Sequence, residues 1–430
     1  MTLAAWLAVA VFASAYILIA TEKLNRAAVA LGGAAAMVAI GATRGHAMFF
    51  SEETGIDWNV IFLLFGMMII VGILKETGVF EFLAIWSAQR AQARPFRMMV
   101  MLILITAVAS ALLDNVTTVL LVAPVTLLLC DRMALPPVPF LLAEAMASNI
   151  GGTATLIGDP PNIIIASRAG LSFNDFVVNL APIVVVLLAV FIGLAWLLWG
   201  RRLAHDPKRS SAVMALTPRE TITNAALLRR MSLILALVLL GFVTHAVTHI
   251  EPSVIALLGA GAAILVSRLE PDTYLEDVEW ETLLFFAGLF VMVGSLVHQG
   301  VIEQLARSVT SLIDGNYHVA AQGILVGSAV LSGIVDNIPY VATMSPLVHG
   351  LVGPAAGLPP EEASLWWALA LGADLGGNAT AIGASANVVV CGIAKRNGHP
   401  ISFWEFTKYG LIVTAVTILC TVPYVTLRYF

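Results

Sequence analysis

Apolar residues run in blocks too long for the core of a soluble domain, with polar residues gathered in short stretches between them. About 20 apolar helical residues cross the hydrocarbon of a bilayer. Blocks near that length predict crossing helices over 3–20, 26–43, 59–75, 176–200, 230–249, 252–268, 281–298 and 409–428. Four further apolar stretches are interrupted. Residues 98–131 break at Asp114-Asn115-Val116-Thr117-Thr118 and residues 319–352 at Asp336-Asn337-Ile338-Pro339, each leaving two short arms. These predict re-entrant hairpins. Residues 137–169 break over the stretch from Gly151-Gly152-Thr153 to Asp159-Pro160-Pro161-Asn162, and residues 363–395 over that from Gly376-Gly377-Asn378 to Asn387. These predict broken crossing helices. Non-helical backbone at membrane depth is tolerated only where protein or water satisfies its N–H and C=O groups, so the breaks are expected to line one internal cavity.

The second half of the chain repeats the first. Trp58 falls on Trp280, Gly66 on Gly288, Gly72 on Gly294, Gly78 on Gly300, Asp114-Asn115 on Asp336-Asn337 and Pro124 on Pro346, without a gap. With a small insertion, Gly151-Gly152-Thr153-Ala154-Thr155 falls on Gly376-Gly377-Asn378-Ala379-Thr380 and Asn162 on Asn387. Each copy then holds three crossing helices, an interfacial amphipathic helix (79–93 and 301–313), a hairpin, a broken helix and a last crossing helix. Five crossings per copy is odd, so the copies are inverted relative to each other. The expected division is a first repeat over 1–200, a linker over 201–229 and a second repeat over 230–430. Within the repeats, 3–75 and 230–298 precede the interfacial helices, and 98–200 and 319–430 carry the breaks.

Composition agrees with the pattern. Of 430 residues, 59% are hydrophobic and 11% charged, too few charges to coat a soluble surface, which makes the chain an all-α polytopic membrane protein. A net charge of −5 without basic tracts excludes nucleic acid as a partner. Cys130, Cys391 and Cys420 sit apart in apolar segments and form neither a disulfide framework nor a metal spacing. With both termini outside, cytoplasmic stretches hold most Lys and Arg, among them Lys23, Arg26, Lys75, Arg201, Arg202, Lys208, Arg209, Arg229 and Arg230, so an inner-membrane protein with a cytoplasmic linker is expected. No nucleotide-binding, cofactor-binding or metal-binding motif is present, and no enzyme activity is expected.

Inverted repeats with discontinuous helices are the architecture of secondary transporters, in which half-helix ends face substrate or ion. Asp114 and Asp336 occupy equivalent hairpin tips. An intramembrane carboxylate costs about 2.5–3.5 kcal/mol unless it is compensated, so the pair is read as an ion- or proton-coupling group, with helix capping as the plain alternative. Asp159 and Asp374 are further coupling candidates. Neither is matched by an acid in the other copy, since Asp159 falls on Ala384 and Asp374 on Asn149. Asn115, Asn337, Thr117, Thr118, Thr153, Thr155, Asn378 and Thr380 offer amides and hydroxyls to a hydroxylated solute or a partly dehydrated cation; the alternative is bonding to nearby backbone. Gly151, Gly152, Gly376 and Gly377 allow close backbone approach or positive φ, Pro160-Pro161 is expected to enforce an extended segment, and Asn162 and Asn387 are expected to bond exposed carbonyls. These residues support the breaks.

The stretches Asp114–Thr118, Ser148–Asn162 and Gly372–Thr380 resemble the ion transporter superfamily that contains arsenite permeases of the ArsB type, sodium/proton antiporters of the NhaD type, the melanosomal P protein and, more distantly, divalent anion/sodium symporters. The resemblance covers essentially the whole chain. It implies a scaffold made by the first three helices of each repeat, a homodimer, and a transport part that moves as an elevator. It also implies proton-coupled efflux of arsenite or antimonite, with sodium/proton antiport as the alternative and an organic-anion transporter or anion channel behind both. A separate arsenite-stimulated ATPase subunit is compatible with it. In the divalent-anion branch the hairpin tips look like Ser-Asn-Thr, whereas here each begins Asp-Asn, which disfavours dicarboxylates by charge repulsion.

Overall fold

The computed structural model describes residues 2–21, 24–51, 53–203, 214–313 and 315–430. Lys23 and, within the expected linker, residues 204–213 with Lys208 and Arg209 lie outside the described residues. The first half forms α1 (Leu3–Ala20), α2 (Arg26–Ala39), α3 (Gly45–Phe50), α4 (Trp58–Lys75), α5 (Val79–Arg90), α6 (Pro95–Leu112), α7 (Asn115–Met133), α8 (Val138–Gly152), α9 (Pro160–Ala169) and α10 (Phe173–Leu198). The second forms α11 (Ala225–Thr248), α12 (Pro252–Ser267), α13 (Pro271–Leu275), α14 (Trp280–His298), α15 (Val301–Ile313), α16 (Tyr317–Ile334), α17 (Asn337–Val352), α18 (Pro360–Gly376), α19 (Ser385–Arg396) and α20 (Phe403–Tyr429). Each α-helix of one half has its counterpart in the other. Nine of the described helices are long and apolar enough to cross a membrane.

Local chemistry explains the boundaries. Asn25 and Asn224 cap α2 and α11 by accepting the N–H of Ala28 and Leu227, and Ser172 with Asp175 forms a capping box that starts α10 three residues before the expected 176. Gly78 and Gly300, at φ 75° and 71°, make the equivalent left-handed turns from α4 into α5 and from α14 into α15.

Packing crosses between the halves. Helix α2 lies on α14 and α12 on α4. These contacts are close because Gly288 abuts the backbone of Ala30 and Gly66 that of Ala256, so a Cβ at either glycine would fall within 3 Å of it. Around the breaks, α6 packs on α8 and α16 on α18, while the second hairpin arms exchange partners: α7 meets α19 and α17 meets α9. The fold is thus two interlocked inverted repeats.

Two expectations change. The hairpin arms are not short: α6 and α16 each have 18 residues and α7 has 19, enough by length alone to cross. What makes each pair a hairpin is the burial of its tip, with Asn115 and Asn337 at most 2% exposed inside the bundle. Pro160 and Pro161 do not form an extended segment. They are the first two residues of α9, where the missing N–H groups are not needed and the fixed φ already suits a helix. The extended residue is Asp159, as expected for a residue before proline.

Candidate functional site

The breaks are held open by bonds that recur in both repeats. At Gly151 a Cβ would lie 2.3 Å from the carbonyl oxygen of Ala107, and at Gly376 2.6 Å from that of Ala329, so these glycines serve close approach of helical backbones and neither has positive φ. The Ser110 hydroxyl donates to Ser148 O at 2.7 Å and that of Ser332 to Ala373 O at 2.6 Å. Thr155 donates to Ala111 O and Thr380 to Gly333 O, at 2.5 and 2.7 Å. Asn162 donates to the carbonyls of Thr155 and Gly152 at 3.1 and 3.4 Å, and Asn387 to those of Gly377 and Thr380 at 2.7 and 2.9 Å. Side chains thereby satisfy carbonyls on both sides of each break.

The hairpin tips bring the two repeats together. Asp114 caps α7 by accepting the N–H of Thr117 at 2.8 Å, and Asp336 caps α17 by accepting that of Ile338 at 3.0 Å. Their neighbours converge on Asp159, which is fully buried: the Asn115 amide donates to Asp159 Oδ2 at 2.9 Å and the Asn337 amide to Oδ1 at 3.3 Å. Although Asp159 occupies the N-cap position of α9, its side chain makes no cap bond. It is instead clasped by one amide from each hairpin, and among the described residues no ion pair reaches it.

Asn149 extends the network. Its oxygen accepts from Asn115 at 3.2 Å, and its amide nitrogen donates to the side-chain oxygens of Asn378 and Asn387, each at 3.0 Å. Asp374, its counterpart, is fully buried beside Thr153 and Asn162. Thr153 donates to Asn149 O at 2.8 Å, the Thr118 hydroxyl is buried without a partner among the described residues, and Thr117 is half-buried. Farther out, Glu144 of α8 is buried and bonded by the Thr126 hydroxyl.

One rim of the site is charged. A cavity of about 570 Å³ is lined by Asn25, Arg26, Glu279, Glu281, Asp336 and Ser385 together with apolar side chains. Arg26 Nη1 lies 3.5 Å from Asp336 Oδ2 and donates to Ser385 Oγ at 2.8 Å, while Nη2 donates to Thr282 at 3.3 Å and the guanidinium sits over the Phe285 ring. Ser385 also donates to Asp336 Oδ2 at 3.0 Å. Burial, followed by the charge of Asp114, pushes the Glu279 carboxyl at this rim up to about 7.

The sequence reading singled out neither Arg26, Glu279 nor Ser385 as a site residue, and it met Asn149 only as the counterpart of Asp374. Arg26 carried a signal, since a cation in the first turn opposes the helix dipole and needs a reason to be there. Asn149 was accessible by overlaying the repeats; Glu279 and Ser385 join the site only through tertiary contact.

Comparisons with known proteins agree with this architecture. A family profile described as a citrate transporter, CitMHS, matches residues 16–372. The uncharacterized transporter Rv2684 of Mycobacterium tuberculosis is 57% identical over 423 residues, 98% of each chain. The P protein of Homo sapiens is 34% identical over 495 residues, which span 97% of this chain and 59% of that one. Among solved structures, the YdaH transporter of Alcanivorax borkumensis aligns with a TM-score of 0.62 at 14% identity, covering 99% of this chain and 97% of that one.

Proposed function

Because the chain belongs to the CitMHS citrate-transporter family of the ion transporter superfamily, we propose that this membrane transporter is a proton-coupled antiporter whose cargo is a small cation, with sodium as the first candidate. One observation carries the reading. Asp159 is a buried carboxylate gripped by an amide from each hairpin, with no cation of the protein against it among the described residues. Two amides leave a carboxylate with unused acceptor capacity, which suits a proton or a partly dehydrated cation. Asp114, Asp336 and Asp374 stand around it as further coupling groups, and Asn115 and Asn337 bind through it. Citrate fits poorly, because a tricarboxylate would meet like charges at the tips where dielectric screening is weak.

In this reading α2, α4, α12 and α14 are a scaffold. The hairpins and broken helices move past it as an elevator, with α5 and α15 as arms and the Arg26 rim on the cytoplasmic side. A second reading is export of arsenite or antimonite. It is favoured by the cavity of about 570 Å³ beside Asp336, whose polar lining includes Ser385 and Asn25 and has room for a small neutral oxyacid. Thr153, Thr155, Asn378 and Thr380 bond inside the breaks and would shape the pocket without touching such a solute.

The experiment is flux in vesicles holding the purified protein. Sodium entry on one side should drive proton movement to the other, and its absence across neutral and alkaline pH rejects the first reading. The second is tested by arsenite accumulation in a pump-deficient host: unchanged accumulation, with the protein verified in the membrane, removes it.

A further inference from the structure

Positions 149 and 374 are equivalent in the two repeats but differ in the ability to donate a hydrogen bond. Asn149 defines what the place requires. Its amide nitrogen donates to the side-chain oxygens of Asn378 and Asn387, both from the other repeat. Asp374 sits beside Thr153 and Asn162, which are the counterparts of those two acceptors. An ionised carboxylate there has nothing to give.

Its neighbours cannot supply the missing hydrogen. The Thr153 hydroxyl is engaged with Asn149 O, and the Asn162 amide nitrogen with the carbonyls of Thr155 and Gly152. Asn387 makes the same two carbonyl bonds in the second repeat, which fixes the orientation of both amides by their networks. Among the described residues, both oxygens of Asp374 and the side-chain oxygen of Asn162 therefore accept no hydrogen bond of good geometry. Both residues are fully buried. Buried acceptors without donors are strongly disfavoured, and an unpaired buried charge more so.

The two central acids lie close to each other. Asp159 is close enough to Asp374 to repel it, and Asp114 and Asp336 lie behind Asp159. Of the two central acids, Asp159 accepts from two amides, whereas the donors beside Asp374, Thr153 and Asn162, are aimed at backbone carbonyls. Two like charges this deep cannot both persist, and Asp374, whose oxygens face an acceptor, offers the place for a proton.

We infer that Asp374 is the proton site of the transporter, held here as a neutral acid whose O–H donates to Asn162 Oδ1, as the Asn149 amide donates to Asn387 in the other repeat. The two unmatched acids then divide the work, with the cation on Asp159 and the proton on Asp374. A single acid without a counterpart provides one proton site in an otherwise doubled structure. The role in transport rests on the antiport reading above; the protonation itself does not.

Infrared spectroscopy of the full chain in lipid tests the protonation directly. At neutral pH the wild type should show the C=O stretch of a protonated carboxyl. One component should vanish in Asp374→Asn and persist in Asp159→Asn. A spectrum with no such component, or one that Asp374→Asn leaves unchanged, overturns the inference. Should Asp374→Asn fail to assemble, Asn162→Ala removes the acceptor and must shift the component; an unmoved component is equally fatal. Vesicle flux separates the two levels of the argument. A wild type that shows the Asp374 component but moves no protons against sodium contradicts the antiport reading alone. One that moves protons with an ionised Asp374 contradicts this inference alone.

Discussion

The guanidinium of Arg26, on α2, lies 3.5 Å from the carboxylate of Asp336 at the tip between α16 and α17. The pair joins the two halves of the chain. Arg26 also bonds Thr282 and lies over Phe285, both on α14, and it bonds Ser385 of α19. On the elevator reading proposed above, this contact is an ionic latch between scaffold and moving part.

Removing the latch should shift the resting population. The pair is partly exposed, which limits its contribution to about 1 kcal/mol, or roughly fivefold in an equilibrium. In Arg26→Gln, labelling of a Ser385→Cys reporter by an impermeant thiol reagent from the Arg26 side should slow by that factor. Arg26→Lys should recover only part of it, because an ammonium cannot span Asp336, Ser385 and Thr282 together. An unchanged labelling rate in Arg26→Gln would show that no latch exists.

Asp159 should separate function from folding. Asp159→Ala leaves the Asn337 amide without its acceptor and the Asn115 amide with Asn149 alone, and should lower stability by about 1–3 kcal/mol. Asp159→Asn keeps one acceptor oxygen, so its thermal unfolding should stay closer to the wild type while cation exchange is lost. Exchange at the wild-type rate in Asp159→Asn contradicts its role.

The glycine contacts make a paired prediction. Gly151→Ala and Gly376→Ala drive a methyl into the backbone of Ala107 and Ala329, and should destabilise by about 1–3 kcal/mol and lower membrane yield. Gly327, in α16, has nothing within 4 Å of a new Cβ. Gly327→Ala should be neutral or stabilising by up to about 1 kcal/mol, as expected for alanine in a helix. Thermal unfolding of the three variants decides it.

Glu279 sets a pH dependence. Its carboxyl rises from an ordinary 4.5 to about 7, through burial first and the Asp114 charge second. The folded protein therefore holds a proton that the unfolded chain releases in that window. Stability should fall as pH rises from about 4.5 to about 7, and Glu279→Gln should flatten that part of the profile. Thermal unfolding followed across this range checks the sign.

Much of the fold was legible because its causes are local or periodic. Spans follow from run length, the breaks from Gly, Pro and Asn within apolar runs, and the doubling from matched positions such as Trp58 with Trp280. Capping by Asp114 and Asp336 and carbonyl bonding by Asn162 and Asn387 were likewise readable, since each serves backbone a few residues away. Hairpin arm length was misjudged because arms of 16 to 19 residues look alike in sequence whether or not their tip is buried. The prolines after Asp159 were misplaced because Pro-Pro suits both an extended segment and the first turn of a helix.

The sequence by itself determined that this chain lies in a membrane, that it is one unit used twice in opposite senses, and that acids and amides stand at its breaks. Those properties reside in hydropathy, spacing and residue type. Tertiary structure alone decided which acid meets which amide: Asp159 between Asn115 and Asn337, Asp374 beside an Asn162 already engaged, and Arg26 against Asp336. The reason is physical. All of these contacts except that of Asn115 with Asp159 join groups from opposite repeats, brought together by packing across the inverted pair, and no periodicity along a chain encodes a distance across it.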